Sequence, residues 1–315
     1  MTRFIKKSIL FIIPIVLLLF SGLILPPTPR ASTANIFIAK KKDSLLLHTE
    51  KPRLIFVGGS NLAFSLNSKQ VKDSLLLNPI NTSLSINYGL RYMLESTKQY
   101  IKREDTIVIS LEYEHYYRSY DFTSEILLRA IADVDHSKIK ILSFKQYIDL
   151  IRFVPDFTFS KFKPSEYYGF KESDIHGVHS YNEFGDVNAH WNLQNQGYVP
   201  ITLKGNFNRD ILCRIKSFED YANKKGATVY ITFPCIDEVS YNNSMDKILI
   251  VEEELDKYGF NTLGNAKRYV MPKEMMFNSI YHLNKKGVDY RTKLLIEDYK
   301  KERTLTTHIK NCLIQ

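Results

Sequence analysis

Short apolar runs, each leading into a longer segment of helical spacing, organise most of this chain. Leu54-Ile55-Phe56-Val57 is an unbroken apolar run that stops at Gly58-Gly59, the pattern of a strand buried on both faces. Segment 61–77 then has helix-like spacing, 80–86 is a second strand candidate and 90–101 a second helix. Thr106-Ile107-Val108-Ile109-Ser110-Leu111 predicts a third strand, and helical patterns follow over 124–132 and 144–153. An amphipathic helix over 209–224 ends at Gly226 and leads into the strand Thr228-Val229-Tyr230-Ile231-Thr232-Phe233, stopped by Pro234. Helices over 246–258 and 286–301 close the series. This alternation predicts an α/β domain, a three-layer sandwich around a parallel sheet, over 51–303, with a tail at 304–315.

Two stretches depart from that rhythm. Segment 26–50, with Pro26, Pro27, Pro29 and Lys40-Lys41-Lys42, reads as a linker. From 155 to 208 the chain is rich in Phe, Tyr, Asn, Gly and His with weak periodicity, which predicts an insertion covering a functional site.

Ahead of the linker, residues 1–25 carry a different pattern. Arg3, Lys6 and Lys7 precede an almost unbroken apolar run from Ile9 to Leu25. Seventeen residues span roughly 26 Å at helical rise, within the range of a membrane helix. The positive flank places the N-terminus in the cytoplasm and the rest of the chain outside it. Small residues at Ser32-Thr33-Ala34 lie nine positions beyond the run, far for a cleavage site, so an uncleaved anchor is favoured over a signal peptide. The expected location is membrane-anchored and extracytoplasmic.

Composition narrows this only a little. An apolar fraction of 44% supports a full core. The net charge of +9 is scattered along the chain without a nucleic-acid motif, so no nucleic acid is expected as a partner. Cys213, Cys235 and Cys312 form no metal or disulfide pattern. Asp174, His176, His179, Asp186 and His190 are close in sequence, but the spacing is not that of a zinc helix and the stretch reads as a polar loop or lid. No cofactor and no metal are expected. Trp191 and the sequons at Asn81 and Asn242 add nothing specific.

The chemistry concentrates at two places. Ser60 follows a buried strand and a Gly-Gly turn, at the carboxyl edge of the sheet where open α/β folds place ligands. His282 stands in Phe277-Asn278-Ser279-Ile280-Tyr281-His282-Leu283-Asn284, just before the last helix, placed to reach the same edge. A serine nucleophile needs a neighbouring base, and neutral imidazole suits that role. Glu112 and Glu114, after the third strand, and Asn61 fall at the rim of such a site.

The pair in this context resembles the SGNH (GDSL-like) hydrolases and acyltransferases. The exported branch that modifies cell-surface polysaccharides, with its alginate O-acetyltransferase-like and teichoic-acid D-alanine transfer members, is the most similar. The phrases that carry the resemblance are Phe56-Val57-Gly58-Gly59-Ser60-Asn61, Leu111-Glu112-Tyr113-Glu114, and Tyr281-His282-Leu283-Asn284 with Gly287 beyond. It implies Ser60 as nucleophile, His282 as base and Gly89 as an oxyanion donor, with Asn87 as a side-chain donor. It also implies an acyl donor, a cell-surface glycan as acceptor and, as a partner, a multi-span membrane acyltransferase. Two departures stand out. The Gly-x-Asn-Asp block has no counterpart at Ser110-Leu111-Glu112, and Asn278 stands where the triad acid belongs. An Asn can orient an imidazole but cannot stabilise imidazolium as a carboxylate does. The expected function is serine-dependent O-acylation of a surface polysaccharide. An O-acetyl esterase and a catalytically degenerate glycan-binding or scaffold protein are the alternatives.

Overall fold

The structure, a computed structural model, describes residues 2–313, with side chains described from 3 to 304. Five parallel strands form its centre: β1 (Arg53–Gly58), β2 (Asn78–Asn81), β3 (Thr106–Ser110), β4 (Thr228–Thr232) and β6 (Thr262–Leu263), in the order β2-β1-β3-β4-β6. A parallel ladder joins β5 (Ile236–Asp237) to β7 (Val270–Met271), and an antiparallel hairpin joins β8 (Met276–Ser279) to β9 (His282–Leu283). The helices are α1 (Thr2–Ser21), α2 (Pro29–Thr33), α3 (Ile38–His48), α4 (Ser60–Ala63), α5 (Ser68–Leu75), α6 (Leu90–Lys98), α7 (Glu125–Arg129), α8 (Phe144–Ile151), α9 (Val154–Ser160), α10 (Asp210–Lys224), α11 (Glu238–Asn243), α12 (Met245–Lys257) and α13 (Lys285–Leu313).

The all-apolar strands bury both faces, and strand alternation divides the core accordingly. Ile55, Val57, Ile107, Ile109, Val229 and Ile231 point into one cluster with residues of α3, α6, α10 and α12. Leu54, Phe56, Val108 and Tyr230 point into a second with Val71 of α5 and Leu295, Ile296 and Tyr299 of α13. The strand order reverses direction between β1 and β3, so the crevice beyond Gly58 and Ser110 is the switch point at which such sheets bind ligands.

Three expectations need correction. Segment 26–50 is not a linker: α3 lies within it and places Ile38, Ala39 and Leu46 in the main core. Three consecutive lysines hid this, yet Lys42 is itself buried, with its ammonium on the Ser83 carbonyl. The helix expected over 61–77 is two helices. Ser65 turns its hydroxyl to Tyr281 O (2.8 Å), and Asn67 caps α5 by accepting from Gln70 N (3.2 Å). The expected tail at 304–315 continues α13 as far as Leu313, and the side chain of Cys312 lies outside the described residues. Cys213 and Cys235 are free thiols.

The α1 helix is long and apolar enough to cross a membrane, and such a segment near an N-terminus also fits a signal sequence. Its window has no residue buried against the rest of the protein.

The base of β1 is pinned by a buried ion pair. Arg53 donates from Nε to Asp105 Oδ1 (2.8 Å) and from Nη2 to Tyr100 O (2.9 Å), and it also reaches Asp105 Oδ2 and the Leu46 carbonyl. Both side chains are fully buried. Asp105→Ala strands the guanidinium and is expected to cost about 3–5 kcal/mol in denaturant unfolding, whereas Arg53→Met with Asp105→Leu costs less.

Candidate functional site

Ser60 opens α4 immediately beyond β1. The two glycines before it answer a packing demand. A Cβ on Gly58 would lie 2.0 Å from Ser110 O, and one on Gly59 would lie 1.9 Å from Glu112 Oε2. β1 and β3 thus leave the sheet in contact, and the Glu112 carboxyl group fills the space Gly59 leaves. Ser60 Oγ donates to Glu112 Oε1 (3.2 Å), and the same oxygen accepts from Asn61 N (3.0 Å). Asn61, fully buried, donates from Nδ2 to Ser110 O and Oγ (both 3.3 Å), tying α4 to the end of β3.

Glu112 is a buried acid with one oxygen spent on α4 and the other, Oε2, without a hydrogen bond among the described residues. His115 Nδ1 lies 3.5 Å from Oε2. Burial pushes His115 down to about 4, so at neutral pH this contact is no ion pair. Burial pushes Glu112 up to about 7, against the hydrogen bonds from Asn61 and Ser60 that pull it down. A carboxyl raised in the folded state stabilises below its unfolded value and loses that contribution as pH rises through the folded one. Glu112→Gln keeps the shape and cannot ionise. Its stability relative to the native protein is therefore expected to improve between pH 5 and pH 8, by roughly 1–3 kcal/mol in paired denaturation curves.

The second half of the site is the β8–β9 hairpin. Its register, Ser279 opposite His282, brings Asn278 and His282 together. His282 Nδ1 lies 2.8 Å from Asn278 Oδ1. An amide oxygen can only accept, so Nδ1 carries the proton and Nε2 is left free to act as a base. The ring stacks on Phe64, centroids 4.1 Å apart at 9°. Phe64 follows α4 and donates its N–H to Ser60 O (2.9 Å), so the ring under His282 is one turn from Ser60. Burial, with His190 and His176 nearby, holds His282 well below the ordinary imidazole value and therefore neutral. The hairpin tip is fixed from three sides. Tyr281 O accepts from Ser65 Oγ (2.8 Å) and Cys235 Sγ (3.0 Å), and Tyr281 OH donates to Glu114 Oε2 (2.6 Å).

The 155–208 stretch lies over these elements. Val187 N donates to Ala63 O (2.8 Å), Gln196 N to Phe277 O (3.0 Å) and Asn195 Nδ2 to Met276 O (2.9 Å). His190 Nε2 lies 2.9 Å from Leu283 O, and its ring packs 5.1 Å from Phe64 and 5.0 Å from Phe277. Of its sequence neighbours, His176 also packs on Phe64 at 5.9 Å, while others disperse. Asp186 is buried on Ser68, Asn81 and Asn182, while His179 faces Glu172 at the surface. Among the described residues no group of three or more His, Cys, Asp or Glu is placed to hold a metal.

Ser60, Asn61, Glu112 and, through Phe64, His282 with Asn278 thus share one neighbourhood, with Glu114 bracing it. Among the described residues no hydrogen bond joins Ser60 to His282. Both expected oxyanion donors have hydrogen bonds of their own. Gly89 N–H already donates to Ile86 O (3.1 Å), its φ of +78° sets the turn into α6, and a Cβ there would lie 2.9 Å from Phe122 O. Asn87 is exposed, with its carbonyl taken by Ser124 Oγ (2.5 Å). Among the described residues no hydrogen bond joins either of them to Ser60. Sequence reasoning missed Phe64 outright. Phe64 could have been flagged as the residue one helical turn beyond the serine.

Compared with models of known protein families and with curated proteins, the chain matches none.

Proposed function

We propose that this chain is a membrane-anchored, extracytoplasmic serine acyl-transfer enzyme. On this reading its sheet and helices form the three-layer sandwich of the SGNH type, and a cell-surface glycan accepts an acetyl or similar acyl group. One observation carries the reading. The Ser60 hydroxyl sits at the switch point of the sheet, bonded to a buried carboxyl, one turn from a ring that stacks on a neutral histidine.

In the reaction, an acyl ester displaces Ser60 from Glu112. Ser60 Oγ attacks the carbonyl carbon, and its proton passes to His282 Nε2. The Ser60 N–H faces the developing oxyanion. Collapse breaks the bond to the donor's oxygen, which leaves with the proton from His282. A glycan hydroxyl then gives its proton to His282 and takes the acyl group from Ser60 by the same steps reversed. The stretch over the site, 184–196, excludes water during the second half, which separates transfer from hydrolysis. The acyl donor is handed over by a multi-span membrane acyltransferase.

A fluorophosphonate probe, which phosphonylates activated serines, tests this on the full chain in detergent. Labelling of the native protein that disappears in Ser60→Ala supports the reading. A folded native protein that stays unlabelled supports a glycan-binding scaffold instead. That alternative is favoured by one observation: the Ser60 hydroxyl rests on Glu112 while the residue orienting His282 is an amide.

A further inference from the structure

Among the described residues, nine of the twenty large apolar side chains exposed outside the N-terminal helix fall between residues 139 and 168. On α8 they are Phe144, Tyr147, Ile148 and Ile151, spaced i, i+3, i+4 and i+7, so one continuous stripe faces outward. Phe144 is 78% exposed and Ile148 54%, while Gln146 and Leu150 of the same helix face inward. A surface helix ordinarily does the reverse, turning its apolar stripe to the core. Phe159 of α9 and Phe162 just beyond it, 52% and 55% exposed, extend the apolar character.

This stripe adjoins the end of α1. A groove lined by Phe20 and Leu23 together with Leu128, Ile131, Leu150 and Val154 is also lined by Tyr147 and Ile151, so the apolar surface runs from the N-terminal helix onto α8 without a break. The junction is held firmly. Thr158 of α9 donates to Leu19 O, and Lys161 Nζ donates to Leu25 O (2.7 Å) and Pro26 O (3.1 Å). Gly22 permits that approach, since a Cβ there would lie 2.3 Å from Thr158 Oγ. Lys140, Lys145, Arg152 and Lys163 are exposed along the same segment.

We propose that the outward stripe of α8, with the exposed phenylalanines of the α9 segment, is embedded in the outer leaflet of the membrane that α1 crosses. Apolar side chains enter the acyl-chain boundary and the flanking lysines meet anionic headgroups, as in interfacial amphipathic helices. The domain is then seated on the bilayer at two places, the exit of α1 and the α8 stripe, and is not free to swing on a tether. The inference rests on α1 as a membrane span and is independent of the acyl-transfer reading.

The test uses the full chain, with Cys213→Ser and Cys312→Ser and the fully buried Cys235 left unlabelled in place, in vesicles of phosphatidylethanolamine and phosphatidylglycerol. Single cysteines at Phe144→Cys and Ile148→Cys carry an environment-sensitive fluorophore. Leu249→Cys, an exposed apolar position on α12, is the comparison, and Leu17→Cys reports α1 itself. The labels on α8 are expected to lose emission to spin-labelled lipid, as the label at residue 17 does, and to resist aqueous iodide, which quenches the label at residue 249. Iodide quenching on α8 equal to that at residue 249 overturns the proposal by placing the stripe in water. Protection from both quenchers overturns it by placing a protein surface there. Because the label at residue 17 reads the anchor separately, failure of the stripe and failure of the span are told apart.

Discussion

Alanine at His282 is expected to lower turnover of an activated acyl ester by about 10²- to 10⁴-fold, the usual contribution of a positioned general base, with KM little changed. The expectation follows from a neutral ring whose Nδ1 is committed to Asn278 at 2.8 Å, so that Nε2 alone can take a proton. The same geometry makes a gain-of-function prediction. Exchanging the orienting acid for an amide in a serine protease costs about 10⁴-fold in turnover. Here the amide is the resident group, so Asn278→Asp is expected to raise turnover. A carboxylate at 278 also favours imidazolium and lifts the depressed His282, so the rising limb of the pH–rate profile moves to higher pH. If His282 only packs against Phe64, Asn278→Asp leaves turnover and pH profile alone.

A large structural effect is also expected at Gly59. Alanine there puts a methyl group 1.9 Å from Glu112 Oε2 and 2.4 Å from its Cδ. The carboxyl group has nowhere easy to move, being 1% exposed with His115 behind it and Asn61 N in front. Displacing it leaves a buried acid and the Asn61 N–H without partners, so Gly59→Ala is expected to cost about 3 kcal/mol or more. The backbone at Gly59 has φ −93°, which any residue adopts, so the cost comes from the clash with Glu112 and not from strain. Coupling then follows: Glu112→Ala is expected to recover much of the stability lost in Gly59→Ala, a non-additive pair in thermal unfolding. Additive losses would show that Glu112 is not what the methyl group meets.

The sheet was legible where apolar runs were unbroken. Leu54–Val57, Ile107–Ile109 and Val229–Ile231 are buried on both faces and have no other low-energy place to go. β6 was not, because two residues, Thr262 and Leu263, carry no periodicity. The second strand stops at Asn81, short of the expected 86, because Asn81 spends its amide on Leu62 O and Asp186 and the chain turns there. The burial of Lys42 and of α3 was hidden for a related reason: charge density describes a side chain's cost, not the carbonyl that offsets it. Within the site, Ser60 and Glu112 could be placed at the sheet edge from strand ends alone. The contact of Gly59 with Glu112 and the stack of Phe64 on His282 join segments far apart in sequence, and only the fold brings them together. The Gly89 N–H, expected as an oxyanion donor, is spent within its own turn on Ile86 O.

Acyl transfer through Ser60 is tested by the intact mass of the full chain after brief exposure to an activated acetyl ester, with peptide mapping of any adduct. An acyl-enzyme adds about 42 Da. Attack by Ser60 puts that mass on the peptide containing Ser60, with none in Ser60→Ala and slow accumulation in His282→Ala. A folded native protein that gains no mass, or an adduct that persists in Ser60→Ala, contradicts it.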